Sequence, residues 1–259
     1  MSALTAEAIT VGYDSRVVLG DLTVEIPDGG FTAIIGPNAC GKSTLLRALS
    51  RLIVPTSGRV ILDGRSIRDY PATVVARRLG LLPQTSIAPD GITVAELVAR
   101  GRFPHQGLLR QWSAADEKAV AEAMAATSVT ELSGLRVDEL SGGQRQRVWI
   151  AMVLAQQTEL LLLDEPTTFL DIAHQVDVME LCRELNESGR TVVVVLHDLN
   201  QAARYASHLV VMDKGAIVAT GTPAEVISEQ LVEEVFGLPC LVMQDPESGT
   251  PMIVPRVRR

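Results

Sequence analysis

The sequence predicts an α/β fold: a parallel sheet at the core, an additional antiparallel β layer from the start of the chain, and a helical lobe in the middle. Three observations lead there. Leu160 to Leu163 and Val192 to Leu196 are unbroken apolar runs of strand length, as expected of strands covered on both faces. Strands of this kind alternate with helical stretches, the pattern of a parallel α/β sheet. The first segments are instead short and alternate apolar with polar residues, as half-solvated antiparallel strands do.

Taken in order, strands are predicted at Ala8 to Val11, Val17 to Ile26 and Phe31 to Ile35. The third runs into GPNACGKST, and a helix follows in LLRALSRL, stopped by Pro55 and Gly58. RVILDG and RLGLLPQ read as further strands, the second ending near Pro83. From about Ala88 to Trp149, Ala, Glu, Leu and Val recur at helical spacing in TVAELVARG and SAADEKAVAEAMAAT. HQVDVMELCRELNESG reads as an amphipathic helix ending at Gly189, and DLNQAARYA as a helix after the Val192 strand. HLVVMDKGAIVATG is predicted to be a hairpin turning at Lys214-Gly215, and TPAEVISEQLVEEVF to be helical. The last twenty or so residues read as irregular and Pro-rich.

The composition narrows the functional classes. Apolar residues make up 47% of the 259 and charged residues 21%, which is ordinary globular usage. With 23 basic and 31 acidic residues the net charge is -8, so nucleic acid is not an expected partner. Any phosphate must be held by a local site. Cys40, Cys182 and Cys240 lack metal-ligand spacing and are expected to be free thiols in a reducing compartment. His105, His174 and His208 are too dispersed to argue for a metal site. The N-terminal stretch has neither the basic nor the apolar region of a signal peptide, and no apolar run approaches the ~20 residues of a membrane span. Attachment to a membrane would therefore go through a partner.

Gly36 to Ser43 fits GxxxxGK[ST] between a strand and a helix. Backbone N–H groups of such a loop and the following helix N-terminus form a cradle for phosphate oxygens. Gly36 and Gly41 let the backbone turn and approach the ligand. Lys42 would reach the β- and γ-phosphates, and the Ser43 hydroxyl would bind Mg²⁺. Pro37, Asn38, Ala39, Cys40 and Thr44 complete the loop and the helix start. Asp164, at the end of an apolar strand, is placed to hold Mg²⁺. Glu165 beside it can orient or polarise the attacking water.

These motifs, with LSGGQ at Leu140 to Gln144 between the helical lobe and the Asp164 strand, closely resemble those of an ATP-binding cassette (ABC) transporter ATPase, and the resemblance covers nearly the whole chain. It implies a P-loop NTPase cassette. Residues 1–87 and 150–259 would form a RecA-like core with its antiparallel β layer, and 88–149 an inserted helical subdomain. By the same resemblance Tyr13 stacks on adenine, and Gln84 contacts Mg²⁺ and the attacking water. Asp171 communicates across a dimer, and His197 contacts the γ-phosphate. Ser141, Gly142, Gly143 and Gln144 close over the nucleotide held by a second protomer. The implied ligands are ATP and Mg²⁺. The implied partners are a second ATPase subunit, normally identical, two transmembrane permease subunits and, indirectly, a substrate-binding protein. The implied location is the cytoplasmic face of the cell membrane. The family's usual loop has Gly where Ala39 stands, so a positive φ there would carry a cost of ~1 kcal/mol.

Finer wording resembles the importers of ferric siderophores, haem and cobalamin: RGRFPHQ at Arg100 to Gln106, Trp112, Asp116, EPTTFLDIAHQ at Glu165 to Gln175, and the C-terminal VFGLPCLVMQDPESGTPMIVP. The siderophore group is the nearest in wording, with haem and cobalamin as alternatives. A soluble ABC ATPase of DNA repair or translation fits less well, because the chain has one cassette and only about 55 residues between Gln84 and the hallmark loop. A GTPase or kinase would leave LSGGQ without a role. The region from Gln84 to about Gln106 is expected to dock the permease subunits, with Ile87, Ile92, Arg100, Arg102 and Phe103 as anchors.

Overall fold

The computed structural model describes residues 2–14, 16–85, 87–107, 112–168 and 170–257. Phe169 of the acidic motif and Arg258 and Arg259 of the terminal RVRR lie outside the described residues. The chain opens with β1 (Ser2–Tyr13), β2 (Arg16–Pro27), β3 (Phe31–Ile35), α1 (Lys42–Leu49), β4 (Ser57–Leu62) and β5 (Arg65–Ser66). It continues through α2 (Ala72–Arg78), β6 (Leu79–Leu82), α3 (Val94–Ala99), α4 (Ala114–Ala126), α5 (Gly142–Ala155), β7 (Leu160–Asp164) and α6 (Ile172–Glu187). It closes with β8 (Thr191–Val195), α7 (Leu199–Tyr205), β9 (His208–Asp213), β10 (Ala216–Gly221), α8 (Pro223–Val226), α9 (Glu229–Phe236), β11 (Cys240–Gln244) and β12 (Pro251–Pro255). Two compact units result: Met1–Asp69 with Thr191–Arg259, and Tyr70–Arg190. The second unit is larger than the helical lobe of the sequence reading, since α2, β6, β7 and α6 cluster with α3, α4 and α5.

In the first unit, β1 pairs antiparallel with both β2 and β4, and β4 with β5. Leu22, Val24 and Ile26 of β2 point inward while Thr23 and Glu25 face out, so the alternation in the sequence sets which face is buried. β3 lies between β8 and β9, parallel to both, and all five residues of β3 and of β8 are buried. This is the covering of both faces that an unbroken apolar run requires. β9 and β10 form the expected hairpin, with Lys214 and Gly215 at φ 45° and 82°, the positive pair of a two-residue turn.

Two expectations fail in this unit. The predicted single helix after Thr222 is broken, because Ile227 is extended and Ser228 starts α9 afresh by accepting a hydrogen bond from Leu231 N. The C-terminal segment is not irregular: β11 and β12 form an antiparallel hairpin in register from Cys240↔Pro255 to Gln244↔Pro251. Pro251 and Pro255 sit at the two ends of β12, positions a strand tolerates. Asn200 clamps Ile253 through both its N–H and its C=O, and Arg204 pairs with Asp245 at 2.6 Å, so α7 holds the hairpin.

In the second unit, β6 and β7 run parallel, from Leu79↔Leu160 to Leu82↔Leu163. The helices start where the capping residues are: Thr93, Ser113 and Ser141 each cap with a reciprocal partner three residues on. Arg102, read from sequence as a docking anchor, is instead 4% exposed. Its Nε donates to Asp116 Oδ1 at 2.9 Å and its guanidinium also donates to Ala155 O at 2.7 Å and Gln157 Oε1 at 3.0 Å. Asp116 also accepts from the Ser113 hydroxyl at 2.6 Å. This buried pair ties the turn at Arg100–His105 to the start of α4 and the end of α5, and burial of the guanidinium is offset by three acceptors, on Asp116, Ala155 and Gln157. Ile92, at 8% exposure, is also core rather than a docking anchor.

Hydrogen bonds from Ser113 and then Arg102 hold the Asp116 carboxyl down at about 2, against an ordinary value of 3.8. The stabilisation is therefore complete above about pH 4 and is lost as pH falls through about 2. Asp116→Asn should lower the urea midpoint at neutral pH with m unchanged, and the gap to the wild type should narrow between pH 4 and 2. Urea melts at a series of pH values measure both.

Candidate active-site residues

In the first unit, the candidate residues lie at the carboxyl ends of β3 and β8. β3 leads into the loop from Gly36 to Gly41, which opens α1. The loop has room for glycine only at two places. Gly36 has φ 155°, and a Cβ there would stand 2.2 Å from Met212 O. Gly41 has φ 108°, and a Cβ would stand 2.7 Å from Leu19 Cδ2. β2 and the β9–β10 hairpin thus press on the loop from outside, and Gly215 N donates to Cys40 O at 2.9 Å.

Lys42 is 5% exposed, and its Nζ donates to Gly36 O at 2.8 Å and Pro37 O at 2.9 Å. An ammonium has three donors, so one is left for a ligand. No side chain caps α1 and its first turn holds no acid, which leaves the N-terminal N–H groups for an anion. This donor set fits a polyphosphate. Ser43 is half-buried and Thr44 buried beside it, while Asn38 and Ala39 are exposed. Burial raises the Cys40 thiol pKa, with Lys42 opposing the shift. His197 directly follows Leu196, whose N–H bonds Ile34 O at 3.1 Å, so it emerges at the same edge as the loop. Tyr13, at the end of β1, is 43% exposed.

In the second unit, the candidate residues lie at the carboxyl ends of β6 and β7. Gln84 is exposed two residues beyond β6, and Asp164 and Glu165 end and follow β7 at 2% and 9% exposure. Glu165 has φ 53°, a left-handed backbone costing a non-glycine residue ~1 kcal/mol or more. Its Oε2 accepts from the Thr168 hydroxyl at 3.2 Å. Asp171 caps α6 by accepting from His174 N at 2.9 Å. Ser141 to Gln144 belong to another element, the start of α5. There the Ser141 hydroxyl accepts from Gln144 N at 3.2 Å, and Gln144 Oε1 accepts from Ser141 N at 3.0 Å. A Cβ on Gly143 would meet Leu170 and His174 side chains at 3.4 and 3.5 Å, so the hallmark loop abuts the entry to α6.

Sequence reading missed Thr168, and it missed Met212 and Gly215 as supports of the phosphate loop. A hydroxyl three residues after Glu165 was visible, but nothing in the string says that it turns back. Met212 and Gly215 act through their backbones, which no residue pattern encodes.

A family model described as ABC transporter matches residues 19–168, and the chain belongs to that family. Ferric enterobactin transport ATP-binding protein FepC of Escherichia coli (strain K12) is 58% identical over 256 residues, covering 98% of this chain and 94% of that protein. The siderophore transport system ATP-binding protein YusV of Bacillus subtilis (strain 168) is 51% identical over 259 residues, covering 100% and 94%. Among solved structures, an ABC transporter in an inward-facing conformation superposes with TM-score 0.84 at 28% identity, covering 99% of this chain and 98% of that one. The dimeric ABC transporter cassette MJ0796 superposes with TM-score 0.76 at 28% identity, covering 85% and 98%.

Ala39 does take a positive φ, 60°. Ala39→Gly should therefore raise thermal stability by about 1 kcal/mol while ATP affinity stays within several-fold. A calorimetric melt and an ATP titration check the two parts, and a gain in affinity of orders of magnitude would contradict them.

Proposed function

We propose that this chain is the ATP-hydrolysing subunit of an importer that carries ferric siderophores across the cytoplasmic membrane. The observation that carries this reading is full-length identity of 58% to an ATP-binding protein named for ferric enterobactin transport. The site residues support the catalytic part. Lys42 and the N-terminus of α1 hold the β- and γ-phosphates, Tyr13 stacks on the adenine, and His197 contacts the γ-phosphate. Ser43, Gln84 and Asp164 are the residues suited to hold Mg²⁺, which when bound neutralises charge on the transferring phosphate. Glu165 accepts a proton from the attacking water as its oxygen bonds the γ-phosphorus. The bridging P–O bond breaks, and its electron pair leaves with ADP.

The hallmark loop gives the reason for a dimer. Ser141, Gly142, Gly143 and Gln144 open α5, a second anion-binding helix start, and serve the nucleotide of a second, identical protomer. The solved dimer of a cassette with this fold supports that arrangement. ATP then closes the pair and hydrolysis releases it, a ligand-biased two-state switch. Among the described residues no helix is long and apolar enough to cross a membrane, so membrane attachment goes through two permease subunits at the cytoplasmic face. Ile87, 86% exposed, Phe103, 61% exposed, and exposed Arg100 form the contact surface offered to them.

Uptake in cells carrying the wild-type chain or Glu165→Gln tests the reading, with labelled ferric siderophore, haem and cobalamin offered in parallel. Selective loss of ferric-siderophore uptake is the expected result. Loss of haem or cobalamin uptake instead would move the cargo, and unchanged uptake of all three would remove the importer reading.

A further inference from the structure

We infer that His105 and Gln156 are positioning residues that latch the Arg100–His105 turn to the carboxyl end of α5, so that permease engagement at the turn is passed along α5 to the hallmark loop. The inference rests on the proposed permease contact at Phe103 and on the proposed role of the hallmark loop. The turn lies tight against the last turn of α5: a Cβ on Gly101 would stand 2.1 Å from Met152 O and 3.1 Å from Ala155 Cβ. The last carbonyls of a helix have no partner within it. Here Arg102 donates to Ala155 O at 2.7 Å, and His105 Nε2 lies 2.8 Å from Gln156 O. A carbonyl only accepts, so that ring nitrogen carries the proton. The Gln156 side chain reaches the other way. Its Nε2 donates to Ala76 O in α2 and, at 3.2 Å, to Leu79 O at the start of β6. Arg77 Nε donates to Pro104 O at 2.7 Å and closes the ring. The turn, α2 and the end of α5 are thus joined by a closed circuit of hydrogen bonds, all within the second unit.

α5 has the build of a rod. Its 14 residues span about 21 Å. Val148 to Ala151 and Val153 to Ala155 are buried, and no proline or glycine follows Gly143 to bend it. Ser141 caps its other end through reciprocal bonds with Gln144. Phe103 stands exposed on the turn between Arg102 and His105, whose side chains are both bonded to the carboxyl end of that helix. A load on Phe103 therefore moves the end of α5 and is not dissipated in a slack loop. A helix is stiff along its axis, so the displacement arrives at Ser141. Bonded networks and rigid elements carry coupling between distant sites when they bias a two-state element. Here that element is the dimer that ATP closes and hydrolysis opens. His105 and Gln156 stand outside the candidate nucleotide site, so the latch acts on communication and leaves hydrolysis by the free chain alone.

The test compares the free chain with the transporter assembled in liposomes from the chain and its two permease subunits. The variants are His105→Leu, His105→Gln, Gln156→Leu and His105→Leu with Gln156→Leu. ATP hydrolysis is measured with and without the permease subunits, together with co-purification, thermal midpoint and uptake of labelled ferric siderophore. The leucine variants should hydrolyse ATP as free chains within about twofold of the wild type and should co-purify with the permease subunits. The permease-dependent rise in hydrolysis and the uptake should both fall about fivefold. His105→Gln should restore them, because its amide N–H reaches the same carbonyl. The double variant should lose no more than the worse single one, since both bonds belong to one circuit. Wild-type stimulation and uptake in both leucine variants would overturn the inference. So would His105→Gln no better than His105→Leu, which means packing, or an equal fall in hydrolysis by the free chain, which means a role in the chemistry itself. Loss of co-purification in the leucine variants would overturn it too, by making these residues docking contacts. A wild-type assembly whose hydrolysis ignores the permease subunits and which takes up no ferric siderophore would instead remove the reading on which it rests.

Discussion

The first unit is organised around one buried charge. Lys42 carries its ammonium into the interior of a protein with net charge -8 and satisfies it with two backbone carbonyls, those of Gly36 and Pro37. A cation so enclosed needs acceptors at fixed distance, or it neutralises or pulls out to solvent. The loop can supply them only if it is tight, and that requirement explains its neighbours. Gly36 lies against Met212 and Gly41 against Leu19 with no space for a side chain, and Gly215 pins Cys40 O from the hairpin side. Parallel strands on either side of β3 put this construction at the carboxyl edge of the sheet, beside the start of α1. The fold presents an ammonium and a helix N-terminus at one place, which is what a triphosphate requires.

The second unit treats its buried charges in the same manner. Arg102 and Asp116 are enclosed together, and Nε and Nη1 of the guanidinium meet three acceptors. Glu165 is nearly as buried and is held by the hydroxyl of Thr168. The difference lies in what each can do. Arg102 commits Nε and Nη1 to acceptors on three residues and serves to fix α4 and α5, whereas Lys42 keeps a donor beside the phosphate loop.

Which parts were legible in the sequence follows from range. The loop from Gly36 to Ser43, the strand ending in Asp164 and the hallmark string Leu140 to Gln144 are local patterns whose chemistry depends on adjacent residues, and each lies at the element boundary that its pattern demands. The cost at Ala39 was legible too, because a missing glycine reports a backbone angle. Arg102 was misread as exposed because a basic residue in a Pro-containing turn usually is, and its partner lies 14 residues away. The hairpin of β11 and β12 was misread because its prolines look like breakers. What rescues it is Asn200, 53 residues upstream of Ile253, and no local pattern carries that information. The link from Thr168 to Glu165 is short in sequence and still illegible, since it depends on a left-handed residue that a glutamate does not advertise.

The most direct test of the account is ATP binding by Lys42→Ala, set beside thermal unfolding of the ATP-free protein. The account predicts that affinity falls by about a hundredfold or more, because the charge aimed at the β- and γ-phosphates is lost. It also predicts that the ATP-free protein melts no lower than the wild type to any large extent, since two backbone carbonyls can turn to water where a stranded ammonium could not. ATP bound at wild-type affinity would contradict the central claim, because the buried lysine would then be a structural tie within the loop and not the phosphate ligand.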